Sequence, residues 1–193
     1  MLFCISAGNY CDTINIGLNQ QQFAALSDGE KISATVKAIS NSLTSRRLLS
    51  PAEAMNAITV GAAHADDSGN AYSQFGQRVD VLPSQTLFSP ATRLGFGFNR
   101  SIKPDILMPG GRQLYNAPMQ DSSTLYSVNN SIIAPGQKVA LDSSNQGDLN
   151  SEAFWRGTSN ATALATRGAV RLYDMLDRLR NEEGEDIPET LMS

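Results

Sequence analysis

The residue whose setting most favours chemistry is Ser159. It follows Gly157-Thr158 and opens a run whose apolar positions recur at helical spacing. Its hydroxyl therefore sits at a helix start, where backbone N–H groups lack intrahelical partners and the dipole favours developing negative charge. A serine hydroxyl is a weak nucleophile until a neighbouring base takes its proton. Taken alone, Thr-Ser before a helix reads as an N-cap. Asn9, after Gly8 at the end of an apolar stretch, reads by itself as a turn residue closing a strand. His64 is the single histidine and reads as a loop residue rather than a base. With Cys4 and Cys11 it forms no zinc-ligand spacing. Gly95-Phe96-Gly97 lacks the third glycine and following helix of a dinucleotide site. The turn Asp66-Asp67-Ser68-Gly69-Asn70 reads as solvated rather than as a calcium loop, so no metal or cofactor is expected.

Positioning these residues requires strands that deliver loops to one end of a sheet. Leu2 to Ser6 is a short apolar run entering Ala7-Gly8-Asn9, the pattern of a buried parallel strand that opens into a loop. Ala57 to Ala63 is a second buried strand; Val79 to Leu82 and Ile106 to Met108 are further short ones, each followed by proline. Ser27-Asp28-Gly29-Glu30 is a capping box opening a helix with apolar positions Ile32, Val36, Ile39 and Leu43. Ser50-Pro51-Ala52-Glu53 repeats that signature and predicts another helix start. Residues 113–154 are rich in Ser, Asn and Gly and read as irregular strands and surface loops. The last helix begins near Ser159 and fades near Gly184, with one face made by Ala161, Leu164, Ala165, Gly168, Leu172, Leu176 and Leu179. Strands alternating with helices imply an α/β fold with a parallel sheet flanked by helices.

The bulk numbers bound the function classes. A chain of 193 residues suits one well-buried domain. It is 41% hydrophobic and 18% charged, with a net charge of -4. Lys and Arg are outnumbered 15 to 19 by Asp and Glu and form no sustained run, which argues against nucleic-acid binding. No stretch approaches the ~18 apolar residues of a membrane span. The opening residues carry no basic segment ahead of the apolar run, unlike a signal peptide. Two cysteines are too few for a disulfide framework and suit a reducing, cytoplasmic setting.

Five segments together carry a resemblance. Ile5 to Asn9 (ISAGN), Ala57 to Ala62 (AITVGA), Ser73 to Gly76 (SQFG), Lys103 to Gly110 (KPDILMPG) and Gly157 to Thr162 (GTSNAT) resemble the subtilase family in order and spacing. Each is weak alone; five in register are specific. The resemblance implies a subtilisin-like three-layer sandwich, truncated at its N-terminal side, with residues 1–193 forming the C-terminal part of the peptidase domain. It implies Ser159 as nucleophile, Asn9 as oxyanion-hole donor, and Ser6, Ala7, Gly8 and Thr158 as substrate-binding residues. The substrate is then a protein or peptide. The family's chain order, Asp then His then Ser, puts the catalytic Asp and His ahead of Asn9, so this chain alone is expected to be inactive. Asp67-Ser68-Gly69 matches the signature of the family's catalytic aspartate but lies on the wrong side of Asn9. Ala163 and Arg167 replace the usual Pro and Gly, and this variant resembles one in intracellular bacterial subtilases, some of which pair with ATPases. An ATPase partner and self-association through the cut edge at Leu2 to Ser6 follow as expectations. The alternative is a catalytically inactive subtilase-like module that holds peptides. An unrelated α/β hydrolase is disfavoured, since Gly157 to Ala161 lacks the second glycine of a nucleophile elbow.

Overall fold

In the computed structural model, which describes residues 2–68, 77–83, 87–143, 147 and 150–183, helices pack on short strands. The first half runs β1 (Cys4–Ser6), β2 (Ile14–Asn15), α1 (Gln20–Ala24), α2 (Asp28–Asn41), β3 (Ile58–Ala63) and β4 (Arg78–Val79). Then come β5 (Gly95–Phe96), a 3₁₀ turn (Phe98–Arg100), β6 (Ile102–Lys103) and β7 (Ile106–Pro109). The chain continues through β8 (Tyr115–Asn116), β9 (Leu125–Val128), β10 (Gln137–Ala140), β11 (Glu152–Trp155) and α3 (Thr158–Glu183).

The parallel sheet has the order β1-β3-β7. Cys4 aligns with Ile58, Ser6 with Val60, and Val60 in turn with Ile106. The central β3 is short of bulk because α3 lies directly on it: Val60 and Ala62 pack against Ala161 and Ala165, with Cys4, Ile58 and Met108 at the border. Small side chains let helix and sheet approach closely. Ala161 is fully buried, whereas Leu172 is 54% exposed, so the helical face expected through Leu179 is covered only along its first turns. An ion pair on this helix joins Arg180 and Asp177.

A second sheet is antiparallel, in the order β2-β9-β8-β4. Its inner face holds the larger core, where Ile14, Phe23, Ile39, Leu82, Tyr115 and Tyr126 meet. Phe23 and Tyr126 stack obliquely at 5.5 Å between ring centroids. This sheet passes through the region expected to be irregular. Its strands are of two to four residues, too short to print an alternation on the sequence.

The capping box forms as Glu30 accepts from both Ser27 N, at 2.8 Å, and Ser27 Oγ, at 2.6 Å. The buried stripe of α2 is Thr35, Ala38 and Ile39, rotated from the expected one, with the Thr35 hydroxyl donating to Val81 O at 2.7 Å. No helix begins at Ser50. The segment makes tight turns, Ala52 N to Leu49 O and Ala54 N to Pro51 O, because β3 starts at Ile58 and Thr59 Oγ1 draws in Ala52 O. Ser73 to Gly76 lie outside the described residues. No described helix is long and apolar enough to cross a membrane.

Candidate active site

Asn9 and Ser159, separated by most of the chain, arrive at the same end of the parallel sheet. β1 leads into Ala7, whose N–H still pairs with Val60 O at 2.9 Å, and then into Gly8 at φ +90°, which turns the backbone out of the sheet. Glycine takes this left-handed conformation without steric cost. Asn9 follows, bridged to Thr92. From the other side, β11 ends at Trp155, and Gly157 N donates to Gly110 O, just beyond β7, at 2.8 Å. The N-terminus of α3 therefore stands over the C-terminal ends of the strands, where open α/β sheets place their sites.

Asn9 Oδ1 accepts from Thr158 N at 3.0 Å and from Thr158 Oγ1 at 3.2 Å. With the oxygen taken, Nδ2 is the amide's remaining donor, and it reaches no acceptor among the described residues. Gly157, at φ +139°, fits beneath this amide: a Cβ there would lie 2.7 Å from Asn9 Nδ2. Any side chain at 157 would push Asn9 away from the helix start.

Ser159 is the residue after Thr158, in the first turn of α3, and is exposed. Thr158 is buried and ties down the turn, its carbonyl accepting from Thr162 Oγ1 at 2.7 Å. Asn160 Nδ2 donates back to Trp155 O at 3.0 Å. The arrangement puts an exposed serine next in sequence to the threonine that holds Asn9, at the positive end of a helix.

The other expected site residues sit nearby with different neighbours. Ser6 is half-buried in β1, Ala7 points into a small cluster with Leu48 and Ala52, and Gly8 passes under Arg93. A cleft of about 330 Å³ opens beside Asn9 and Gly157, lined also by Tyr10, Ile132, Phe154 and Trp155. Neither this lining nor the arginine beside it carries a motif in the sequence. Arg156 donates to Pro135 O and Ile133 O at 2.8 and 2.7 Å, and to Ser131 O at 2.7 Å, knitting the 131–135 loop to the residue before Gly157. Burial, then Arg78, lowers the Arg156 pKa from its usual value.

His64 is completely buried, with Nε2 2.8 Å from Asp80 Oδ1 and Nδ1 without a hydrogen-bond partner among the described residues. Neither ring nitrogen bonds Ser159. The Asp66–Ser68 turn closes on itself, with Asp66 Oδ1 accepting from Ser68 N at 3.0 Å and from the Ser68 hydroxyl. Asp66 also pairs with Arg112, so this turn is a staple between the loops after β3 and β7. No group of three His, Cys, Asp or Glu among the described residues is arranged to hold a metal.

No curated protein and no solved structure matches the chain. The family model of the subtilases, peptidase family S8, matches residues 1–193. That match spans every element of the site, and the parallel sheet with its small-residue helix agrees with it: the chain belongs to the subtilase family, a serine peptidase-type domain.

Proposed function

We propose that this chain supplies the nucleophile and the oxyanion donor of a subtilisin-like serine endopeptidase. In this reading, residues 1–193 are the C-terminal part of the peptidase domain. Ser159 attacks the peptide carbonyl and forms an acyl-enzyme; Asn9 Nδ2 donates to the oxygen as charge develops there. The observation that carries the reading is the pair of bonds from Thr158, the residue before Ser159, to Asn9 Oδ1, which leaves Nδ2 without an acceptor among the described residues. Ser6 to Gly8 and Thr158 are assigned to substrate contact. The general base and its orienting aspartate come from a preceding part of the full-length protein, in the family's chain order.

One observation favours a second reading, a peptide-holding module without turnover: the chain's only imidazole is held by Asp80. A fluorophosphonate probe decides between them. The full-length protein is expected to label rapidly, and Ser159→Ala to abolish labelling. The 193-residue chain by itself should label slowly and leave casein intact, retaining at most the ~10³–10⁴ acceleration over water that binding and oxyanion contacts give without a base. A full-length protein with inert Ser159 supports the second reading. Brisk turnover by the 193-residue chain contradicts the placement of the base.

A further inference from the structure

We propose that Arg93 is a positioning residue that sets the aim of Asn9, an inference resting on the reading of Asn9 as oxyanion donor. The side chain of Asn9 is held at its oxygen by Thr158, but a donor is aimed from both ends, and the backbone end belongs to Arg93. Its Nε donates to Asn9 O at 3.2 Å. Its Nη1 donates to Arg47 O at 2.9 Å and Ser45 O at 3.3 Å, on the segment between α2 and β3. Its own backbone N–H donates to Gly8 O at 3.0 Å. The aliphatic stem lies across Gly8, where an added Cβ would be 3.1 Å from Arg93 Cδ. Gly8 thus serves twice, supplying the positive φ and the room for the stem.

The guanidinium has no carboxylate partner among the described residues; its three acceptors are main-chain carbonyls. Its work is to join the Asn9 loop to a second backbone segment, which a planar fork does and a single ammonium cannot do at several points together. The clamp is itself rooted. Thr92 Oγ1 donates to Ala62 O at 3.0 Å and accepts from Ala62 N at 3.1 Å, fixing the residue before Arg93 to the central strand. On the next residue, Tyr10 N donates to Ala91 O at 2.7 Å, and the Tyr10 ring lies 4.0 Å from the guanidinium carbon of the buried Arg46. Asn9 is thereby gripped on both sides along the chain, with its Nδ2 lying over Gly157.

Placement at this level matters for rate, since a displacement of ~1 Å near the reacting atoms can cost ~10²-fold. An oxyanion contact strengthens only as the transition state forms, so its loss lowers kcat and leaves KM nearly unchanged. In the full-length peptidase, Asn9→Gly is expected to reduce kcat about 10²–10³-fold. Arg93→Ala should reduce kcat about tenfold with KM within about twofold, and Arg93→Lys should restore part of the loss. The decisive measurement is the double variant. Added to Asn9→Gly, Arg93→Ala should lower kcat little further, because the group it aims has gone.

An equal loss in both backgrounds makes Arg93 a support of the fold and overturns the inference. So does a normal kcat in Arg93→Ala while Asn9→Gly is impaired, an outcome that leaves the oxyanion reading standing. An unimpaired Asn9→Gly overturns both. If Arg93→Ala does not fold, Arg93→Lys and Arg93→Gln are read through the same cycle.

Discussion

At the scale of single residues, the carboxylate and guanidinium of Asp66 and Arg112 form an ion pair sealed from solvent, with side chains 2% and 3% exposed and 3.1 Å apart. Burial alone would raise the Asp66 pKa. The hydrogen bonds from the Arg112 side chain, from Ser68 and from both backbone N–H groups outweigh it and hold the carboxyl below its usual value of 3.8. A depressed folded pKa means stability that is fully present above the unfolded value and lost as pH falls through the folded one. Asp66→Asn is therefore expected to cost about 1.5–3 kcal/mol near neutrality, because the charge-assisted hydrogen bonds from the buried Arg112 lose their carboxylate. It should also flatten the loss of stability below about pH 4. Urea midpoints measured across pH check both. An unchanged acid limb would mean that another carboxylate sets it. The segments around Asn9 and Ser159, which the Thr158–Asn9 bonds bring together, stand out in the sequence because each is a local string. The arginines do not: Arg93 and Arg156 bond main-chain carbonyls far along the chain, and such contacts impose no spacing on the sequence.

At the scale of elements, β1, β3, β7 and α3 were legible to within a residue or two, since buried parallel strands and a small-residue helix have strong composition. Of the antiparallel sheet only β4 was anticipated, as Val79 to Leu82 where the strand is Arg78–Val79; β2 and β8, also of two residues each, were not. The signature at Ser50-Pro51 failed for a tertiary reason: the residues before Ile58 are committed to turns that seat Ala52 against Ala7 and Leu48. The division of α3 gives a direct test. Ala161 is at 0% exposure against β3, so Ala161→Leu is expected to destabilise by about 1–3 kcal/mol through overpacking. Leu172, 54% exposed, should tolerate Gln within about 0.5 kcal/mol. Denaturant midpoints of equal value for the two variants would show that α3 does not rest on β3 as described.

At the scale of the whole molecule, the parallel sheet has two edges, β1 and β7, and the side chains there are apolar. Leu2 and Phe3 are 51% and 53% exposed, Ile106 and Leu107 40% and 43%, and along α3 Val170 and Tyr173 add 55% and 50%. An open edge with unpaired N–H and C=O groups is a template for another strand, and apolar side chains beside it remove the usual protection. Charged residues that could repel a second copy are sparse here: within Leu2 to Asn9 there is none. We therefore propose that the 193-residue chain self-associates through the Leu2 to Ser6 edge. Phe3 gives a clean handle, because its carbonyl already accepts from Ile58 N at 2.9 Å and a change of side chain leaves that bond in place. Light scattering over a concentration series should show association of the unaltered chain, and Phe3→Lys should weaken it by placing a charge at the edge. If the unaltered chain stays monomeric at every concentration, the edge is protected in some other way. Association that Phe3→Lys leaves untouched would move the contact elsewhere, with the exposed apolar residues of α3 the next surface to substitute.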